Sequence, residues 1–225
     1  MKTRPLGIVS LIILIMTALW LALLISSIVS AGPVETFEQV LANAARLDGV
    51  FYLTYANATL FTVGATILLA GLYVYCKPIA PEWSVIGVVF VPVYCVLNLF
   101  SYLSQITVVP RLLEYQQTAE YQAVSTMLLR QMIQAWPGSA VWVSNNLAYA
   151  ILGIPSIIFG MALCKRSKTM RLAGVLLVLN GIACIVGMVG VVLGNTLIGM
   201  GSAVGGGLFF LALFPLSWAF LRNGA

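Results

Sequence analysis

Apolar residues run in long stretches, separated by short clusters of charge. Residues 5–34, 49–76, 83–110, 131–164 and 172–221 hold no Asp, Glu, Lys or Arg. A helix that crosses the hydrocarbon core needs roughly 20 apolar residues. Each of the first four stretches therefore predicts one span. The last is long enough for two, divided at Gly194-Asn195-Thr196. The predicted spans are 8–29, 52–75, 84–109, 140–163, 172–193 and 203–220. The expected fold is all-α: a polytopic integral membrane protein, one domain over 1–225, with six transmembrane helices and two outer amphipathic segments.

Those two segments lie in the long loops 31–50 and 111–138. In the first, Pro33 followed by Glu35 and Glu38 is a good helix start. Val34, Phe37, Leu41 and Ala44 then share a face, which predicts a helix lying along the membrane surface. In the second, Val124, Met127, Leu128 and Ile133 form a weaker stripe that ends at the interfacial Trp136 and the breakers Pro137 and Gly138. Together they predict a small outer cap.

Composition narrows the class. Of 225 residues, 61% are apolar and 8% charged, histidine is absent, and mean hydropathy is +1.05. Soluble domains carry roughly 25% charged residues. A soluble domain, a disordered chain and a nucleic-acid binder are excluded.

Lys and Arg gather on the cytoplasmic side of short loops. With both termini inside, Lys2, Arg4, Lys77, Lys165, Arg166, Lys168, Arg171 and Arg222 face the cytoplasm, and Arg46, Arg111 and Arg130 face out. Glu35, Glu38, Asp48, Glu114 and Glu120 also fall outside. The expected location is the plasma membrane, and the net charge of +5 reflects topology. The cluster Lys165, Arg166, Lys168 and Arg171 anchors that topology and is a candidate site for anionic lipid headgroups. Met1-Lys2-Thr3-Arg4 and the small residues Val29-Ser30-Ala31 suggest a signal peptide. The apolar run Leu6–Leu24 exceeds the roughly 7–15 residues of a signal core, which predicts an uncleaved helix.

Some short motifs recur. Gly71-Leu-Tyr-Val-Tyr-Cys76-Lys77 is echoed by Gly160-Met-Ala-Leu-Cys164-Lys165, with Gly87 and Gly174 following, as a faint repeat of helical hairpins would give. Leu72-Tyr73-Val74-Tyr75-Cys76-Lys77-Pro78, Leu97-Asn98-Leu99 and Arg171-Leu172-Ala173-Gly174-Val175-Leu176-Leu177 carry a wider likeness. With them the chain resembles a family of bacterial and archaeal six-helix membrane proteins of about this size whose domain has no assigned function. The resemblance covers nearly the whole chain apart from 111–138. It implies a fold and transfers no functional residue.

Chemistry inside the predicted spans is limited to uncharged groups. No ionisable pair of the kind used in proton relays or ion-coupled transport lies there. Neither a Ser/His arrangement nor a His/Cys metal set exists, since histidine is absent. No cofactor and no metal are expected. Cys76, Cys95, Cys164 and Cys184 include no C-x-x-C pair. Asn57-Ala58-Thr59 matches a glycosylation sequon but falls within a predicted span.

Polar stripes remain. Tyr55, Thr59, Thr62 and Thr66 share a helix face, as do Tyr94, Asn98, Ser101 and Gln105. Unpaired amides in hydrocarbon cost several kcal/mol, so these faces should turn inward. One reading is a pocket lined by Tyr94, Asn98, Gln105, Asn145, Asn146 and Asn180, suited to a small neutral or lipid-like ligand. The other is interhelical glue. Pro92, Pro155 and Pro215 predict kinks. Gly190-x-x-x-Gly194 and Gly201-x-x-x-Gly205 predict close helix contact. The function expected is non-enzymatic: a membrane component in the lipid bilayer that binds a protein partner, a second copy or a small apolar ligand. A permease for a neutral solute is the alternative, and an intramembrane enzyme is disfavoured.

Overall fold

The computed structural model describes residues 3–31 and 35–222. Pro33 and Val34, proposed above as a helix start, and Lys2 lie outside the described residues. The described chain is all-helical: α1 (Arg4–Ala31), α2 (Phe37–Ala44), α3 (Gly49–Cys76), α4 (Pro81–Gln116), α5 (Gln122–Met132), α6 (Ala140–Leu163), α7 (Lys168–Val192), α8 (Thr196–Gly199) and α9 (Gly201–Arg222). Six segments are long and apolar enough to cross a membrane: Arg4–Val29, Gly49–Cys76, Pro81–Gln116, Ala140–Leu163, Lys168–Val192 and Thr196–Arg222. The six predicted spans and the two amphipathic segments are all present.

Local chemistry sets the boundaries. Thr36 caps α2 in a reciprocal capping box with Gln39, so α2 starts at Phe37, after the Glu35 expected to lie within its first turn. The Asp48 carboxylate accepts from Phe51 N (2.8 Å) and starts α3. Gly138 takes a positive φ (81°), and the Ser139 hydroxyl accepts from Trp142 N (3.0 Å) to open α6. Gly194, at φ 64°, closes α7. Asn195 then caps α8 by accepting from Ile198 N (3.0 Å), at the break the sequence suggested. The helix α4 differs most from expectation. It continues past residue 109 to Gln116, through Pro110, and an Arg111–Glu114 ion pair (3.2 Å) lies on its last turns. At 36 residues it spans about 54 Å at 1.5 Å per residue, against a hydrocarbon core of about 30 Å.

The chain forms two compact units. One comprises 18–60 and 97–145. In it Phe37, Val40 and Ala44 of α2 share a buried cluster with Val109 and Leu113 of α4, Leu129 of α5 and Ile133. The apolar face of α2 is thus spent on α4 and α5, not on the membrane surface as the stripe alone suggested. Phe37 meets Trp136 edge-on (5.4 Å), and the Arg130 guanidinium lies 4.9 Å from the Phe37 ring and 5.9 Å from that of Trp136. This cation holds α2, α5 and the following loop together.

The other unit comprises 1–17, 61–96 and 146–225. Here glycines set the helix spacing. Gly153 and Gly160 of α6 oppose Gly181 and Gly174 of α7. A Cβ on Gly153 would lie 2.7 Å from Gly181 O, and one on Gly174 would lie 2.5 Å from Gly160 O. Farther along α7, Gly187 and Gly190 meet Ser202, Ile198 and Gly199, so α7 is approached closely on both halves. The Thr3 hydroxyl donates to Phe220 O (3.1 Å), tying α1 to α9. The sequence echo between α3–α4 and α6–α7 does not extend to packing: the nearest side chain to Gly71 is Leu6 of α1, whereas Gly160 meets α7.

These close backbone contacts predict a steep steric penalty. Gly174→Val should lower stability by about 1–3 kcal/mol, whereas Gly206→Val, with nothing within 4 Å of its added carbon, should be near neutral. Unfolding in mixed micelles would measure both, and equal losses would contradict the packing role.

Candidate functional site

The candidate polar residues are distributed over both units. Asn98, Gln105 and Asn145 belong to one, and Tyr94, Asn146 and Asn180 to the other. All six are buried, with Tyr94, Asn98 and Asn180 fully so. The inward orientation expected of the amide-bearing stripe on α4 is therefore present.

Asn145 Nδ2 of α6 donates to Asn98 Oδ1 of α4 at 2.8 Å. This is a direct amide–amide bond between two helices that span hydrocarbon. About two helical turns further along α4, Gln105 Nε2 donates to Met132 O (2.8 Å) and Ser104 Oγ (3.0 Å), while its Oε1 accepts from Gln134 N (3.0 Å). A single glutamine thus fastens the end of α5 by one donor and one acceptor. The Ser139 hydroxyl, donating to Ile133 O (2.9 Å), secures the same loop from the other end.

In the second unit Asn180 Nδ2 of α7 donates to Gly205 O of α9 at 2.9 Å. The carbonyl is reachable because Gly205 has no side chain: a Cβ there would run into Cys184. Asn180 Nδ2 also approaches Cys184 Sγ at 3.5 Å, while Asn180 Oδ1 accepts no hydrogen bond.

Hydroxyls in the stripes behave differently from amides. Thr59 and Thr66 on α3 donate to the carbonyls of Tyr55 and Thr62 one turn back (both 2.8 Å), and Ser101 on α4 donates to Leu97 O (2.9 Å). A hydroxyl can satisfy itself within its own helix in this way, so it carries less information about the neighbouring helix. Thr107 does so while exposed.

The basic cluster divides in two. The Arg166 guanidinium lies over the Tyr75 ring at 5.3 Å, and Arg171 Nε donates to Cys164 O at 3.3 Å. All four are exposed, Lys165 and Arg166 on the turn after α6 and Lys168 and Arg171 in the first turn of α7. Among the described residues, no three His, Cys, Asp or Glu side chains lie close enough to hold one metal ion.

Sequence patterning found the buried amides and missed the supports: Arg130 between two rings, and the capping roles of Asp48 and Ser139. The caps had a signal, since each is a small polar residue immediately before an apolar run. No family model, no curated protein and no solved structure gives a significant match to the chain.

The Asn98–Asn145 bond predicts non-additive energetics. Asn98→Leu and Asn145→Leu should each cost about 1–3 kcal/mol by removing a buried amide–amide hydrogen bond. The double variant should lose less than the sum, with a coupling of about 0.6–1.7 kcal/mol. A double-mutant cycle read by unfolding in micelles measures it, and strict additivity would rule the pair out as a stabilising contact.

Proposed function

We propose that the protein is a non-enzymatic, multi-pass component of the plasma membrane that binds a second membrane protein through its outer cap. The observation that carries this reading is the surface of α5. Ser125 and Leu129 point into the cap core. On the adjoining face Tyr121, Val124, Met127 and Leu128 are exposed, the last three by 57, 64 and 41%. Tyr115 of α4 stacks edge-on against Tyr121 (6.0 Å) and extends the patch.

Most other exposed apolar side chains lie on the six helices long and apolar enough to cross a membrane, where lipid would cover them. The patch on α5 is different, because it lies on a short helix outside those six, beside the end of α4 that carries the charged pair Arg111 and Glu114. Contiguous apolar surface outside hydrocarbon is the usual mark of an interaction site. Buried amides that already bind across helices favour this reading over a ligand pocket within the bundle. The resemblance to a six-helix family bears on the fold alone. Both termini face the cytoplasm in this reading, which puts the α5 patch on the outer side.

Native mass spectrometry of gently extracted protein is the direct test. A second chain at fixed stoichiometry is expected, lost in Val124→Glu/Leu128→Glu while the thermal midpoint of the isolated chain stays unchanged. A retained small molecule, released by Asn98→Leu, would replace the partner reading with the pocket reading. Topology has its own check. A cysteine at Thr118 should react with an impermeant maleimide on intact cells, and one at Ser167 only after permeabilisation.

A further inference from the structure

A shallow groove of about 420 Å³ runs along α6 and α7 at the end where the two helices turn. Met161, Cys164, Lys165, Val175, Val178 and Leu179 line it. It exists because Gly160 and Gly174 let the two backbones touch. Val178 sits against Gly160, where an added Cβ would come within 2.9 Å of its methyl, and Cys164 sits against Gly174. The floor is low, and the exposed Met161, Val175 and Leu179 stand along it as walls. Every lining residue but Lys165 is apolar or a thiol.

We propose that this groove seats one acyl chain of an anionic phospholipid, with its headgroup phosphate held by Lys165 and Lys168. The groove lies on two spanning helices, so a lipid chain is the apolar ligand present there at high concentration. Lys165 can lay its methylenes along the groove mouth and extend its ammonium into the headgroup layer. Lys168 opens α7, where Ser167 makes no side-chain cap, so the first-turn N–H groups add to the positive field.

Charge complementarity selects an anionic lipid over a zwitterionic one. No Asp or Glu follows Glu120 in the chain. Arg166 and Arg171 are exposed too, but the Tyr75 ring and the Cys164 carbonyl already engage them and hold the turn in shape. The two lysines are the cations assigned to the phosphate. This proposal does not depend on the partner reading of the outer cap.

Nanodiscs holding the full chain with equal amounts of dioleoyl phosphatidylglycerol and dioleoyl phosphatidylcholine provide the test, read by lipid retained in native mass spectra. Wild-type protein is expected to keep one phosphatidylglycerol in preference to phosphatidylcholine. Removing each lysine should weaken that preference about fivefold, as expected for one basic group near an anionic headgroup. Lys165→Gln/Lys168→Gln should therefore nearly abolish it. Val175→Trp, which fills the groove and leaves both lysines, should also reduce retention. Leu179→Trp serves the same purpose if the first variant fails to fold in pure phosphatidylcholine. Equal retention of both lipids by the wild type would overturn the proposal. So would loss in the lysine variant with full retention in both groove-filling variants, since that pattern describes a surface charge effect without a seated chain.

Discussion

An amide in hydrocarbon has no water to turn to, and this constraint organises the protein. Each buried carboxamide whose bonds are described above joins separate parts of the chain. Asn98 and Asn145 join α4 to α6, Asn180 joins α7 to α9, and Gln105 holds the segment leaving α5. Burial alone gives apolar side chains little preference for one helix register in lipid, because the tails outside are as apolar as the residues inside. A directional bond sets one, since rotating or sliding either helix breaks it.

Glycine supplies the complementary device. The α6–α7 and α7–α9 contacts rely on backbones meeting directly. Close approach multiplies dispersion contacts where there is little hydrophobic drive between helices. It also exposes carbonyls to a neighbour's side chain, as Gly205 does for Asn180. Amide and glycine at the α7–α9 contact are therefore one feature: the bond needs the gap.

The spans were legible because charge-free length is a direct physical requirement of the bilayer, and that signal survives without any homologue. The inward turn of Tyr94, Asn98 and Gln105 was legible for the same reason. What each amide would meet was not. Asn98 and Asn145 are 47 residues apart, and helix periodicity describes one helix at a time. Stripes on α3 looked as informative as the one on α4, yet Thr59 and Thr66 are satisfied by their own helix. In α2, Phe37 and Ala44 were read correctly as sharing a face, Val40 completes that buried face in place of the partly buried Leu41, and the neighbours are α4 and α5. Membrane surface and protein surface ask for the same side chains.

The turn between α7 and α9 has a consequence for biogenesis. Its stretch of chain, 172–221, contains no charge, and Asn195 already bonds Ile198 N within the turn. Moving such a turn through lipid costs the hydration of uncharged groups only, since Asn195 and Thr196 are exposed and no ionised side chain accompanies them. Glycine contact on α7 and α9 lets the two helices close before they leave the insertion machinery. The last two spans can then enter the bilayer as a preassembled pair, whose neighbouring cations, at residues 165–171 and 222, all lie at the end opposite the turn.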